Sequence, residues 1–167
     1  MTKRWTRREL ITAATAMGAT LAWGKARAAP SRRRWVERRD RFAQGVASGD
    51  PAPNSVLLWT RGSAAGTAAA VALTVEVAED AAFERVVATA PVRALAAADH
   101  TCRVLVGGLA PASTYWYRFT DESGNGSRVG RTRTAPADDD PKPVRFAFVS
   151  CQNVCEGAQN TYRRMIF

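Results

Sequence analysis

The sequence predicts an all-β sandwich over residues 42–135, followed across a linker by the opening strand of an α/β unit. Two observations carry the sandwich. Apolar residues recur with period two in separate short runs, and turn formers (Gly, Pro, Asn, Asp, Ser) bound each run. A third carries the α/β unit. Val144-Arg145-Phe146-Ala147-Phe148-Val149 is compact and mostly apolar, the pattern of a strand buried on both faces.

The elements follow in chain order. Arg7 and Arg8 precede the uncharged stretch Leu10–Gly24, which is followed at once by Lys25-Ala26-Arg27-Ala28-Ala29. A basic start, a short apolar segment and an Ala-x-Ala site describe an export leader. Adjacent arginines with a weakly apolar segment fit the bacterial twin-arginine route. The stretch has 15 residues, short of the roughly 20 a membrane-spanning helix needs. Cleavage is expected after Ala28, making residues 1–28 the leader. The partners this implies are the twin-arginine export machinery and signal peptidase, with only transient membrane contact and a periplasmic or secreted destination. Residues 29–41, with Arg32, Arg33, Arg34, Arg38, Arg39 and Arg41, are expected to form a solvated basic arm.

Within the sandwich, Ser55–Arg61 is a strand of strong β formers after the turn sequence Asp50-Pro51-Ala52-Pro53-Asn54. Val71, Leu73, Val75 and Val77 alternate with Ala72, Thr74, Glu76 and Ala78, so one face is buried and the other wetter. Val86, Val87 and Thr89 suggest a short edge strand. Cys102, Val104 and Val106 alternate with Thr101, Arg103 and Leu105, and Tyr115, Tyr117 and Phe119 alternate with Trp116, Arg118 and Thr120. Asp121–Gly126 is a hairpin turn, and Ser127–Thr134 returns as the last strand. Residues 136–143, with three prolines and three consecutive aspartates, are a linker. Residues 144–167 then open a second unit: the apolar strand, the turn Ser150-Cys151-Gln152-Asn153 and a helix-like end at Thr161–Phe167. A strand buried on both faces needs neighbouring strands and covering helices, so the chain is expected to be the front portion of a longer protein.

The net charge of +9 would ordinarily raise nucleic-acid binding, but its location removes that reading. Residues 1–41 hold 12 of the 24 basic residues against Glu9, Glu37 and Asp40, while residues 42–167 balance 12 basic with 12 acidic. No nucleic-acid surface is expected. His100 is the only histidine, so no His-rich metal site or general-base pair can form around it, and it is read as a solvated loop residue. Cys102 reads as a small buried strand residue. Cys151 and Cys155 show no disulfide framework spacing.

Leu109-Ala110-Pro111-Ala112-Ser113-Thr114-Tyr115 is similar to the Leu-x-Pro-x-Thr-x-Tyr stretch of fibronectin type III domains, in which the tyrosine hydrogen-bonds back to the upstream backbone. The sandwich is thus expected to be fibronectin type III/Ig-like, with Trp59 at the position of a core tryptophan. A wider resemblance covers the whole chain. The paired-arginine leader, Phe42-Ala43-Gln44-Gly45-Val46-Ala47-Ser48-Gly49-Asp50-Pro51, the strand Val56–Arg61, the fibronectin-like sandwich and Phe146–Gln152 together resemble the PhoD-type alkaline phosphatases.

That resemblance implies an α/β metallophosphatase domain beginning near Val144, and hydrolysis of phosphate mono- and diesters outside the cytoplasm by a site holding iron and calcium. The family's iron-ligating cysteine falls on Cys151, just past a strand end, and thiolate suits such a metal. The later Asp- and His-rich motifs of the family do not occur here, and Cys155 has no role assigned. The resemblance thus implies no catalytic residue within these 167 residues and an inactive fragment. The rival reading is an exported non-catalytic fibronectin-like binding module.

Overall fold

Strand Ser55–Arg61 shows how the alternation becomes a sandwich: Val56, Leu58 and Thr60 have no exposed surface, while Leu57, Trp59 and Arg61 are half-exposed on the opposite face. A computed structural model describes residues 6–16, 19–24, 27–63, 68–150 and 162. Its elements are α1 (Arg7–Ala16), β1 (Thr20–Trp23), β2 (Val36–Glu37), β3 (Val46–Ala52), β4 (Ser55–Arg61), β5 (Ala70–Ala78), β6 (Val86–Leu95), β7 (Thr101–Gly107), β8 (Thr114–Asp121), β9 (Asn125–Gly126) and β10 (Gly130–Arg133). A single turn of 3-10 helix, Ala96–Ala98, joins β6 to β7.

Two sheets face each other. One is four-stranded, in the order β1-β7-β4-β3; the other has six strands, β2-β9-β8-β5-β6 with β10 paired to the remaining length of β8. Every contact between β3, β4 and β7 and between β5, β6 and β8 is antiparallel, whereas β1 joins β7, and β2 joins β9, in parallel. The core between the sheets is built from Val56, Leu58, Val104 and Val106 on one side and Leu73, Val75, Val77, Tyr115, Tyr117 and Phe119 on the other. Fully burying one such aliphatic side chain contributes about 1.5–3 kcal/mol. Tyr117 and Phe119 meet edge to face, with ring centroids 6.4 Å apart.

The corner tyrosine performs its expected role. Tyr115 is buried, and its hydroxyl accepts a hydrogen bond of 2.9 Å from the Ala110 N–H, satisfying a backbone donor where the chain reverses. The Asp121–Gly126 turn forms as read. The Asp121 carboxylate accepts from the N–H groups of Ser123 and Asn125, both at 2.9 Å, and Gly124 supplies a positive φ of 83°.

Several expectations are corrected. Trp59 is not a core tryptophan; the parity of β4 sends Leu58 inward and leaves Trp59 half-exposed on the outer face. The turn sequence after Gly49 is part of a strand: β3 runs through Asp50 and Pro51 with a bulge between Gly49 and Ala52, and only Pro53-Asn54 turn. The edge strand at Val86 is much longer than read, and the last strand shorter. Residues 29–41 are not a free arm. Ala29 bridges to Val86, β2 pairs β9, and Trp35 packs on Gly126, although Arg32, Arg33, Arg34, Arg38, Arg39 and Arg41 themselves are exposed. The reason is the outer face of β5 and β8, whose buried Glu76–Arg118 pair is covered by Ser31 and Trp35 of this segment. The stretch Val144–Val149 does not form a strand here; Val144, Phe146 and Phe148 are 67, 83 and 85% exposed. An isolated strand has neither hydrogen-bond partners nor a face to bury.

Candidate functional site

The Gly45–Pro51 motif builds one open side of the sandwich. β3 and β10 are edge strands of opposite sheets, and the gap between them is a cleft of about 510 Å³ lined by Ser48, Gly49, Pro51, Thr114, Arg131 and Arg133. β10 points Arg131 and Arg133 outward while Thr132 turns in, as period two requires. Gly130 packs against the Tyr117 ring, where a Cβ would stand 2.4 Å from Cζ, so only glycine lets β10 approach this closely. Burial pushes the Tyr117 phenol up, and a hydrogen bond with Ser48 opposes the shift. The chain leaves the sandwich beside this motif: the Ala135 N–H donates to the Ala52 carbonyl at 3.2 Å. Asp50 takes a left-handed φ of 46° there. The motif therefore shapes the exit to the linker, and it brings together no nucleophile, base and metal donors.

The outer face of the six-stranded sheet holds a buried ion pair that the sequence reading missed. Glu76 on β5 and Arg118 on β8 are register partners, with side chains only 4 and 8% exposed. Arg118 donates through Nε (3.0 Å) and Nη2 (2.9 Å) to Glu76 Oε2, and Ser31 Oγ donates to Oε1 at 2.7 Å. The guanidinium stacks 4.0 Å from the Phe83 centroid and 5.3 Å from that of Trp35. The usable signal was a lone Glu in a valine strand opposite a lone Arg in an aromatic one. The arrangement holds residues 31–35 against the sheet and is structural.

Of the sequence-read site residues, Cys151 lies outside the described residues, as does Cys155. Among the described residues no group of three or more His, Cys, Asp or Glu comes together to hold a metal. His100 sits in the expected turn, half-buried, with Nδ1 3.3 Å from the Ala94 carbonyl oxygen. Cys102 is a buried free thiol in the main core, and burial raises its pKa from 9.0 to about 11, the reverse of what a ligand or nucleophile needs. No helix among the described residues is long and apolar enough to cross a membrane.

Residues 24–136 match a known family model, that of the PhoD-like phosphatase N-terminal domain. The chain belongs to the PhoD-like phosphatase family. Alkaline phosphatase D of Bacillus subtilis (strain 168) is 38% identical over 132 residues, which is 74% of this chain and 22% of that protein. The solved structure of PhoD superposes with a TM-score of 0.58 at 36% identity, over 69% of this chain and 22% of that one. The chain therefore spans about a fifth of the length of these relatives. The PhoD-like correspondence includes residues 29–41, in keeping with their place in the sheets.

Proposed function

We propose that this chain is the N-terminal part of an exported PhoD-type phosphatase that hydrolyses phosphate mono- and diesters, and that the 167 residues alone are inactive. The observation that carries the reading is the match of residues 24–136 to the PhoD-like N-terminal domain, together with the 38% identity to alkaline phosphatase D of Bacillus subtilis over 132 residues. The sandwich serves as a rigid base whose exit point, beside Ala52, aims the linker and the unit beginning near Val144. In that unit the resemblance puts iron and calcium, with Cys151 as the iron-ligating thiolate. The metals would polarise the phosphate oxygens and activate an oxygen nucleophile. The described residues of this chain supply no catalytic group to that chemistry. Arg7-Arg8 and Ala26–Ala28 assign export through the twin-arginine machinery and cleavage by signal peptidase, to the periplasm or beyond.

A domain exchange tests the reading. Residues 24–143 replace the matching N-terminal domain of the Bacillus subtilis enzyme, and hydrolysis of p-nitrophenyl phosphate and its bis ester is followed. Activity within about tenfold of the parent, a loss of about 1.4 kcal/mol in transition-state stabilisation, supports a phosphatase domain. A folded, soluble but inactive chimera favours the rival reading, an exported binding module.

A further inference from the structure

The sandwich carries an addition that lies ahead of the family correspondence, which begins at residue 24. β1 runs parallel to β7 from Thr20 opposite Val104 to Trp23 opposite Gly107, and Gly24 N–H extends the ladder to the Gly107 carbonyl at 2.7 Å. Ala22 is 1% exposed within the main core. Ahead of it, Thr6 and Glu9 form a reciprocal cap: Glu9 Oε2 accepts from Thr6 N–H at 2.7 Å, and Thr6 Oγ1 from Glu9 N–H at 3.3 Å. The helix they start sets Leu10 and Ala14 on one face, where both are buried against Leu105. Arg7 lies 5.9 Å from the Trp23 ring centroid.

A second set of contacts holds the expected cleavage point. Ala28 packs on the main core, and Ala29 is held in a two-way bridge, donating to Val86 at 3.1 Å and accepting from it at 2.8 Å. A protease reads its substrate as an extended strand laid along its own backbone. A peptide bond whose neighbours already pair with β6 and bury into the core cannot be read that way.

We propose that the edge of β7, with Leu105 and the paired glycines Gly107-Gly108, is a docking site for this chain's own α1 and β1, and that these must leave it, freeing the chain to pull Ala29 from its bridge with Val86, before the Ala28–Ala29 bond can be cut. The proposal rests on the export reading given above. Undocking is then the step that converts a folded, uncut precursor into one open to the peptidase. The fit is specific. A Cβ added at Gly107 would stand 2.8 Å from Leu10 Cδ1 and 2.9 Å from Trp23 Cζ3, both leader atoms, and the backbone there is outside the left-handed region. Gly107→Val therefore pushes on the leader without straining its own strand.

The test uses the full 167-residue chain. Trypsin cleavage after exposed Arg27, timed by mass spectrometry, should be about tenfold faster in Gly107→Val, because local opening governs the rate. Trp23→Ser, which removes the leader's stacking partner, should act in the same direction. Amide exchange at Ala22 and Trp23 should speed up in both variants while Val75 and Phe119 keep their protection. Unchanged cleavage in both variants overturns the proposal, and so does loss of protection at Val75 and Phe119, which would trace the effect to the sandwich. Failure of the export reading is seen separately. If Arg7→Lys/Arg8→Lys leaves periplasmic delivery of a folded reporter unchanged, the route is wrong whatever trypsin shows.

Discussion

Replacing Glu76 by leucine leaves a buried cation without its carboxylate, with Ser31 Oγ, 3.0 Å from Arg118 Nη2, still in reach. Arg118 loses both hydrogen bonds to Oε2, Ser31 loses its acceptor at 2.7 Å, and the guanidinium stays enclosed between Phe83 and Trp35 with its side chain 8% exposed. Removing one partner of a buried pair costs about 3–5 kcal/mol, since the remaining charge keeps its desolvation penalty. Against a typical domain stability of about 5–15 kcal/mol, that is about a fifth or more of the total. With a urea slope of about 2 kcal/mol per molar, the unfolding midpoint should fall by about 2 M. Tryptophan fluorescence reports it directly, because Trp35 sits over the pair. The double change Glu76→Leu/Arg118→Met should recover most of the loss, as an apolar pair of similar volume needs no partner. A cost below about 1 kcal/mol for Glu76→Leu, the value of a solvent-exposed pair, would refute the reasoning. It would mean that residues 31–35 do not seal this face in solution.

Other changes should separate along the same physical lines. Leu58→Ala, at a fully buried position, should cost about 2–5 kcal/mol in urea unfolding. Half-exposed Trp59→Ala should cost clearly less than Leu58→Ala, and the reverse order would overturn the assigned parity of β4. Tyr115→Phe keeps the ring but leaves the Ala110 N–H without its acceptor, an expected loss of about 1–3 kcal/mol visible as a lowered melting temperature. Cys102, raised to about 11, should resist thiol reagents at pH 9 until the chain unfolds. Its folded pKa lies above the unfolded one, so its contribution to stability is complete below pH 9 and is lost as pH rises toward 11. Urea midpoints measured across that window in the native chain and in Cys102→Ala should differ in slope.

The strands were legible wherever period two was unbroken. Ser55–Arg61 coincides with β4, and the Cys102, Val75 and Tyr117 runs fall on β7, β5 and β8 with the expected inward residues. The Tyr115 corner and the Asp121 turn were readable because both are local devices, closed within six residues of sequence. β3 was not readable. Val46–Ala52 holds Gly, Asp and Pro, and it pairs only because β4 presents a free edge and a bulge absorbs Asp50-Pro51. Trp59 misled for a related reason: a large aromatic suggests core, but on a strand its neighbours' parity decides which way it points. On the site side, the family was readable from the Phe42–Pro51 motif, whereas the Glu76–Arg118 pair was not, since it needs the register between strands 42 residues apart.

By itself the sequence determined the period-two core, the local turns, the neutral charge balance beyond residue 41 and the PhoD-like family. Each of these is written in residues close together, or in a motif whose meaning needs no partner. Only the tertiary structure decided that residues 29–37 cover the outer face of β5 and β8, that Glu76 is buried there, and that β1 occupies the edge of β7. Those outcomes depend on which surfaces remain uncovered once the sheets have formed. A basic or weakly apolar segment carries no periodic signal of its own, and its fate is set by the edge or face it finds to pair with and bury against.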